Sequence, residues 1–374
     1  SYNLNYFDWL HQADIEYELA EKTISRFYAS ADLNPLLNHP YPTSLRVINI
    51  SKFIAKNNIN SASWLTAFKS DIHCVSNRLE YHLLGNHLLE NAFALYVGGL
   101  VTEQPKPKLL GQKLVTQQLK EQILDDGMHF ERSPMYHHII LERLLDAINF
   151  AKAAEDSFHE TLSACAIRML GFSRNWDDFS RLPMFQDSTY GVALDQKEIF
   201  KYGKTMLGKD MPQLATPMNA SGYRLLSNNS FSLVVNAGEI GPSYQPGHAH
   251  ADELNFECFV KNQSFIVDPG ITTYESGERR NKERATSSHN CVTINELNSS
   301  DVWSTFRVGK RSSVSHICSN DGITIQRTDA PSQCIVTRSI VLKEHDISII
   351  DEVTPSNHST RNVGHFYFHP HFSL

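Results

Sequence analysis

Apolar positions fall into two successive regimes along the chain. From Ser1 to about Gly208 they recur at i, i+3 and i+4, the spacing that gives a helix one apolar face. The pattern predicts helices over 9–28, 45–56, 63–101, 113–124, 135–154, 159–170 and 196–207, with a loop over 174–191. Asn38-His39-Pro40, Gln104-Pro105-Lys106-Pro107 and Arg132-Ser133-Pro134 separate several of these helices, because proline cannot join a helical ladder. Consecutive helices without an intervening strand imply a helical array or toroid. No fixed-period repeat marks a solenoid.

Near Pro217 the period shortens to two. Short alternating runs rich in β-branched and aromatic residues cover 223–235, 254–260, 264–267, 291–294, 323–327 and 335–342, with a hairpin over 339–351 and a last strand at 366–368. Asn228-Asn229, Lys261-Asn262-Gln263 and Lys343-Glu344-His345-Asp346 supply turns. Such grammar predicts an antiparallel second domain, a β-sandwich. The expected division is therefore a helical domain over 1–216 and a sandwich over 217–374. Ending at His371-Phe372-Ser373-Leu374 leaves the last sheet little margin, so the chain is expected to stop short of the natural domain's end.

Composition narrows the class. Hydrophobic residues at 41% and charged residues at 20% are those of a globular chain. A net charge of -7 and a pI near 6.2, with no basic block, argue against nucleic acid as a partner. The same charge means that an acidic ligand would have to be met by local cations. Six scattered cysteines without a CxxC pair suggest no disulfide framework. No apolar run is long enough to span a membrane. Ser1-Tyr2-Asn3-Leu4 opens no leader pattern, and a removed leader would leave the same start, so composition does not assign a compartment.

Candidate chemistry concentrates in Gly247-His248-Ala249-His250-Ala251-Asp252, followed by Val267-Asp268-Pro269-Gly270 and Ser288-His289-Asn290. Histidines at i and i+2 of an extended segment point to opposite faces, so His248 can line a cleft while His250 turns inward. Turned inward, His250 would meet Asp268 and His289, and two imidazoles with a carboxylate suit zinc. Asp252 is placed behind them. Eighteen residues separate His250 from Asp268, room for a strand, a tight turn and a returning strand. In the helical half, Leu84-Gly85-Asn86-His87-Leu88-Leu89-Glu90-Asn91 puts a polar cluster on an otherwise apolar helix, which costs burial energy unless it is hydrogen-bonded or faces a cleft. Asp126 to His137 reads as a loop and a helix start, with Pro134 in the first turn and Tyr136 and His137 emerging there.

Taken together, a GNHxxEN helix, a DGxxxExSPxYH segment, GHxHxD, a VDPG strand end and Arg284-Ala285-Thr286-Ser287-Ser288-His289-Asn290 resemble the heparinase II/III family of polysaccharide lyases. The resemblance runs from about Pro40 to the C-terminus with the motifs in the family's order. It implies an α+β multidomain fold, an N-terminal incomplete (α/α) toroid followed by a C-terminal antiparallel β-sandwich. It also implies β-elimination on an acidic, uronate-containing polysaccharide such as heparan sulfate or alginate.

Elimination removes a weakly acidic C5 proton beside a carboxylate and expels the oxygen at C4. The carboxylate must be neutralised, the proton accepted and the leaving oxygen protonated. By resemblance, Asn86 holds the carboxylate with help from His87, Tyr136 is the acid and His248 the base. Tyr136 would serve both roles if proton and leaving group share a face. A tyrosine from the helical ring and a histidine from the sheet are expected to face one another across a groove. Glu90, expected to orient His87, joins Tyr274, Arg280 and Arg284 in a substrate-binding set, and Trp303 and Phe306 are candidates for sugar stacking. His250, Asp268 and His289 match the family's metal site, a structural divalent cation usually taken as zinc. The resemblance favours a periplasmic or secreted location and is silent on oligomeric state. The alternatives are an inactive glycan-binding protein of the same fold and, further off, a metal-dependent hydrolase. The hydrolase reading needs alternating strands and helices that this chain lacks.

Overall fold

A computed structural model describes residues 3–30, 38–355 and 360–371 of the chain. Two compact units divide it: Ser1–Gln122 with Arg143–Ala166, and Ile123–Glu142 with Ile167–Leu374. The helical N-terminal region and the antiparallel sheets of the C-terminal part follow the predicted order.

The first unit holds α1 (Tyr17–Ala29), α2 (Pro40–Asn57), α3 (Leu65–Asn77), α4 (Gly85–Val101) and α5 (Pro105–Gln122), with α2, α3 and α5 packed around α4. Residues 85–99 of α4 are buried apart from His87, as expected of a helix that is apolar on every side. At Gly111 of α5 an added Cβ would stand 2.4 Å from the Tyr96 nitrogen, so only glycine lets the two helix backbones meet there. Buried Arg46 of α2 forks onto Asp71 of α3 at 2.8 and 2.9 Å. The Tyr28 hydroxyl of α1 donates to the same carboxylate at 2.6 Å. One buried ion pair thus ties three helices.

Three expected helices come out differently, the one expected over 113–124 beginning already at Pro105 as α5. The run over 63–101 is two helices, because Leu84 sits at φ 56 and the Glu80 N–H donates to the Asn91 side chain. The run over 9–28 opens with short 3-10 turns at Asn3–Tyr6 and Asp8–His11, and α1 begins only at Tyr17. Helices α6 (Pro134–Ala153) and α7 (Phe158–Ser173) contain the division between units.

The second unit adds α8 (Gln196–Leu207), started by a reciprocal cap between Asp195 and Glu198. One four-stranded antiparallel sheet runs in order through β1 (Tyr223–Ser227), β2 (Phe231–Asn236), β3 (Phe256–Val260) and β4 (Gln263–Ile266). Small antiparallel pairs involve β5 (Val292–Ile294), β6 (Val302–Trp303) and β7 (Arg307–Val308). A second four-stranded sheet is built from β8 (Ser313–Cys318), β9 (Gly322–Thr328), β10 (Ile335–Leu342) and β11 (Ile347–Thr354). Finally, β12 (Asn362–Gly364) pairs with β5.

Leu233, Val235, Phe256 and Cys258 of the first sheet and Ile323, Ile325, Val336 and Ile340 of the second share one apolar cluster. Alternation along β10 turns Val336, Arg338 and Ile340 to the buried face. Lys261 and Asn262, at φ 47 and 67, make the tight turn between β3 and β4. The expected strand at 366–368 is reduced to a bridge from Phe368 to Ile266, because the Tyr367 N–H donates to the Asn290 side chain instead of a ladder. The expected shortfall at the chain end falls partly on 372–374, outside the described residues. Exposed β8, the short strands β6, β7 and β12, and the six-residue helix α9 (Glu278–Glu283) escaped the pattern.

Candidate active site

The His248–His250 segment is a turn leading into β3 rather than a strand, yet its two histidines still part company. Backbone pairing holds it in place. The Asp187 N–H donates to the His248 carbonyl at 3.2 Å, and the Ala251 N–H to the Arg284 carbonyl at 3.0 Å. The Gln186 side chain accepts from the His250 N–H at 2.7 Å and donates to Asp252 Oδ1 at 2.7 Å. Gly270, at φ 62, brings its own turn against the Ser188 carbonyl, where a Cβ would stand 2.4 Å away.

On the outer side, Ser133 caps α6, its hydroxyl accepting from the Tyr136 N–H at 3.1 Å. That cap sets Tyr136 in the first turn. Its ring lies on the His248 imidazole, 4.0 Å between centroids and 14° between planes. The expected pair is therefore in direct contact within the second unit, with no gap between the rings. The Tyr136 and Tyr274 hydroxyls are 3.1 Å apart, and Phe306 edges the group 6.2 Å from His248 and 6.1 Å from Tyr274. His248 Nδ1 donates to buried Glu131 at 2.8 Å. Burial acts to lower the His248 pKa, but the Glu131 charge and hydrogen bond override it and hold it above the usual value. Burial, reinforced by Tyr274, pushes the Tyr136 phenol well above its usual range.

On the inner side, His250 Nε2 lies 2.7 Å from Asp187, which also receives both arms of the Arg280 guanidinium at 2.5 and 2.7 Å. Burial lowers the His250 pKa to about 4. Burial acts against ionisation of Asp187, yet hydrogen bonds from His250 and Arg280 bring it to about 2. Arg280 and Arg284, expected to line the cleft, are fully buried. Arg284 spends its donors on the Ala249, Ser304 and Arg307 carbonyls. Both guanidiniums brace the fold around the histidine turn. Tyr274 is 38% exposed and does reach the surface.

The expected metal ligands divide. Asp268 and His289 pair at 2.7 Å, and Asp252 joins them with one donor atom from each residue within 4.8 Å of the others. His250, assigned to the shell from the sequence, is outside this group, with its Nε2 against Asp187; Asp252, placed behind the shell, is inside it. Asp252 Oδ2 and His289 Nε2 are buried with no hydrogen-bond partner among the described residues, as is His250 Nδ1. Burial raises the Asp252 pKa to about 7, and neighbouring Asp268 and Glu253 add to the effect. Two carboxylates and an imidazole, partly unsatisfied and short of cations, fit a divalent ion.

In the first unit, Asn86 and His87 fall in the first turn of α4. Asn86 makes no side-chain hydrogen bond among the described residues. The Tyr41 ring lies 4.3 Å from the His87 ring, and His87 Nδ1 is 3.3 Å from Glu80. Glu80 in turn accepts from Asn91 Nδ2 at 2.9 Å. Glu90, expected to orient His87, is buried and pairs with Arg143 at 3.0 Å; Glu80 takes the expected part. Trp303 is 50% exposed on β6.

Glu80, Glu131 and Asp187 were not singled out from sequence. Glu131 sits inside the DGxxxExSPxYH segment that drew attention to Tyr136, five residues before it. Asp187 lies in the stretch read as a plain loop, where nothing in local pattern marks a buried acid.

Models of the heparinase II/III N-terminus and of the heparinase II/III-like C-terminal region match residues 43–207 and 210–374. A heparin-sulfate lyase of Pedobacter heparinus is 24% identical over 268 residues, covering 63% of this chain and 40% of that protein. One from Bacteroides thetaiotaomicron is 25% identical over 300 residues, covering 65% and 42%. The chain thus spans well under half the length of these relatives. A crystal structure of heparinase III superposes with a TM-score of 0.73 at 17% identity, over 94% of this chain and 62% of the other. That likeness concerns the fold.

Proposed function

The chain belongs to the heparinase II/III family, and from that premise we propose that it is a polysaccharide lyase cleaving a uronate-containing acidic polysaccharide by β-elimination. The observation that carries this reading is the stack of Tyr136 on His248, with Tyr274 at the phenol and Glu131 at the imidazole. A phenol and an imidazole side by side supply a proton donor and a proton acceptor in one place. His248 Nε2 accepts the C5 proton, and Tyr136 delivers a proton to the C4 oxygen. If both groups leave from one face, Tyr136 performs both transfers. Tyr274 positions the Tyr136 hydroxyl and contacts substrate.

Neutralisation of the uronate carboxylate is assigned to Asn86, whose amide has no hydrogen-bond partner among the described residues, with His87 beside it. That assignment rests on the family motif. Glu90, Arg280 and Arg284 support the fold in this reading and do not touch sugar. Asp252, Asp268 and His289 would hold a divalent cation, zinc by its donor set, which would pin the histidine turn to the sheet. The finer architecture proposed is an incomplete (α/α) toroid over 1–216 and a β-sandwich over 217–374; the apolar cluster shared by the two four-stranded sheets supports the sandwich.

The relatives named heparin-sulfate lyases make heparan-type glycosaminoglycans the first substrates to try. A net charge of -7 favours lightly sulfated or unsulfated polymers over highly sulfated ones. Incubation with a panel of uronate polymers tests the proposal. A lyase creates a C4–C5 double bond conjugated to the carboxylate, seen as new ultraviolet absorbance. Chain shortening without that absorbance would make the protein a hydrolase, and binding without shortening would make it an inactive glycan receptor.

A further inference from the structure

Resting on the lyase reading above, we infer that Glu131 is a positioning residue for His248: its carboxylate holds the Nδ1–H and fixes which edge of the ring offers Nε2 to substrate. The stack on Tyr136 sets the plane of the imidazole and nothing more. A flat ring held only by stacking can turn over within that plane, exchanging a nitrogen edge for a carbon edge at little cost. A hydrogen bond at one nitrogen removes this freedom.

Glu131 is built for the task. It is 2% exposed, and its Oε2 is 2.8 Å from His248 Nδ1. His129 Nδ1, at 3.9 Å, is beyond hydrogen-bond reach. No guanidinium or ammonium bonds to it among the described residues. A carboxylate removed from water must find donors, and here the imidazole is the near one. Because Glu131 precedes α6 by three residues, the segment that delivers the Tyr136 ring also delivers the carboxylate. Ring plane and ring edge are therefore set by one piece of chain. The imidazolium that forms when Nε2 takes a proton is stabilised by the same carboxylate, without Glu131 touching sugar.

The test pairs a spectroscopic and a kinetic readout on the full chain. Long-range 1H–15N correlation, with His248 assigned by its loss in His248→Gln, should show the Nδ1 proton in the wild type. Glu131→Ala should shift those resonances toward the other tautomer or a mixture. On whichever uronan the wild type cleaves, Glu131→Ala should lower kcat about 100-fold, with KM changed by less than about twofold. Glu131→Asp should recover part of that loss. Should the alanine variant fail to fold, isosteric Glu131→Gln carries the same kinetic comparison, with at least about a tenfold loss expected. Unchanged His248 resonances, or an unchanged kcat, would overturn the inference. If the wild type cleaves no uronan, the lyase reading falls separately, and the resonance change alone decides whether Glu131 positions the ring.

Discussion

His248 and His250 stand two residues apart on one turn, each against a buried carboxylate, and the difference lies in what else that carboxylate holds. Asp187, beside His250, already receives the Arg280 fork, so its charge is met by a fixed cation. The imidazole can then stay neutral, and burial takes its pKa to about 4. Glu131, beside His248, pairs with no such cation among the described residues, and the histidine is drawn toward the protonated side despite burial. The two histidines, with similar first partners, thus differ in proton affinity: Glu131 and Asp187 both raise His248 against burial, while burial dominates at His250 and the nearby His289 and Arg280 charges add to it. Burial by itself does not decide whether an imidazole is braced or reactive; the balance of charges around the imidazole and its partner does.

The largest expected effect belongs to the outer side. Tyr136→Phe and His248→Ala should each reduce turnover by about 10²–10⁴-fold with the far-ultraviolet spectrum close to wild type. His248→Ala, which leaves Glu131 buried without its near donor, should also lower the unfolding midpoint. Near-normal activity in either variant would remove the proposed pair.

On the inner side the prediction is structural. Arg280→Met leaves Asp187 buried without its main cation and should cost about 3–5 kcal/mol in urea unfolding. A loss below about 1 kcal/mol would show that Arg280 does not set the contrast.

A third histidine sharpens the rule. Fully buried His138, on α6, hydrogen-bonds to the Leu194 carbonyl and to no carboxylate among the described residues, and the raising effect of the Asp195 charge is outweighed by burial. Burial lowers its pKa from 6.5 to about 4. The unfolded chain therefore binds the extra proton between these values. The stabilisation is fully present above pH 6.5 and is lost as pH falls toward 4, roughly 3 kcal/mol over that window. Unfolding free energies at pH 7 and pH 5 should show the fall, and His138→Gln should flatten it; an equal slope in the variant would remove His138 as the cause.

The smallest effect concerns the acidic cluster. His289→Ala removes one of the partners of Asp268 and should cost about 1–3 kcal/mol, with bound metal falling alongside. Unchanged metal stoichiometry by elemental analysis would exclude His289 as a ligand.

Much of this was legible along the chain. Helix α8 occupies the predicted span, and β10 and β11 form the predicted hairpin, because a 3.6 or 2.0 period survives wherever one face is buried. The break at 78–84 was not visible, since the backbone turns there on a contact between Glu80 and Asn91, eleven positions apart. Tyr136 and His248 were identifiable as chemistry; Glu131 and Asp187, which govern His248 and His250, were not. Arg280 and Arg284 carried the usual signal of surface cations and proved to be buried braces.

Local pattern by itself determined the order of helices and strands, the tight turns and the residue types able to move a proton. These depend on neighbours within one or two turns of chain. Tertiary structure alone decided which carboxylate faces which imidazole and where the compensating guanidinium lies. Those partners are separated by 117 residues for Glu131 and His248 and by 93 for Asp187 and Arg280. Charge in a dry interior acts through distance in space, and separation along the chain does not record it.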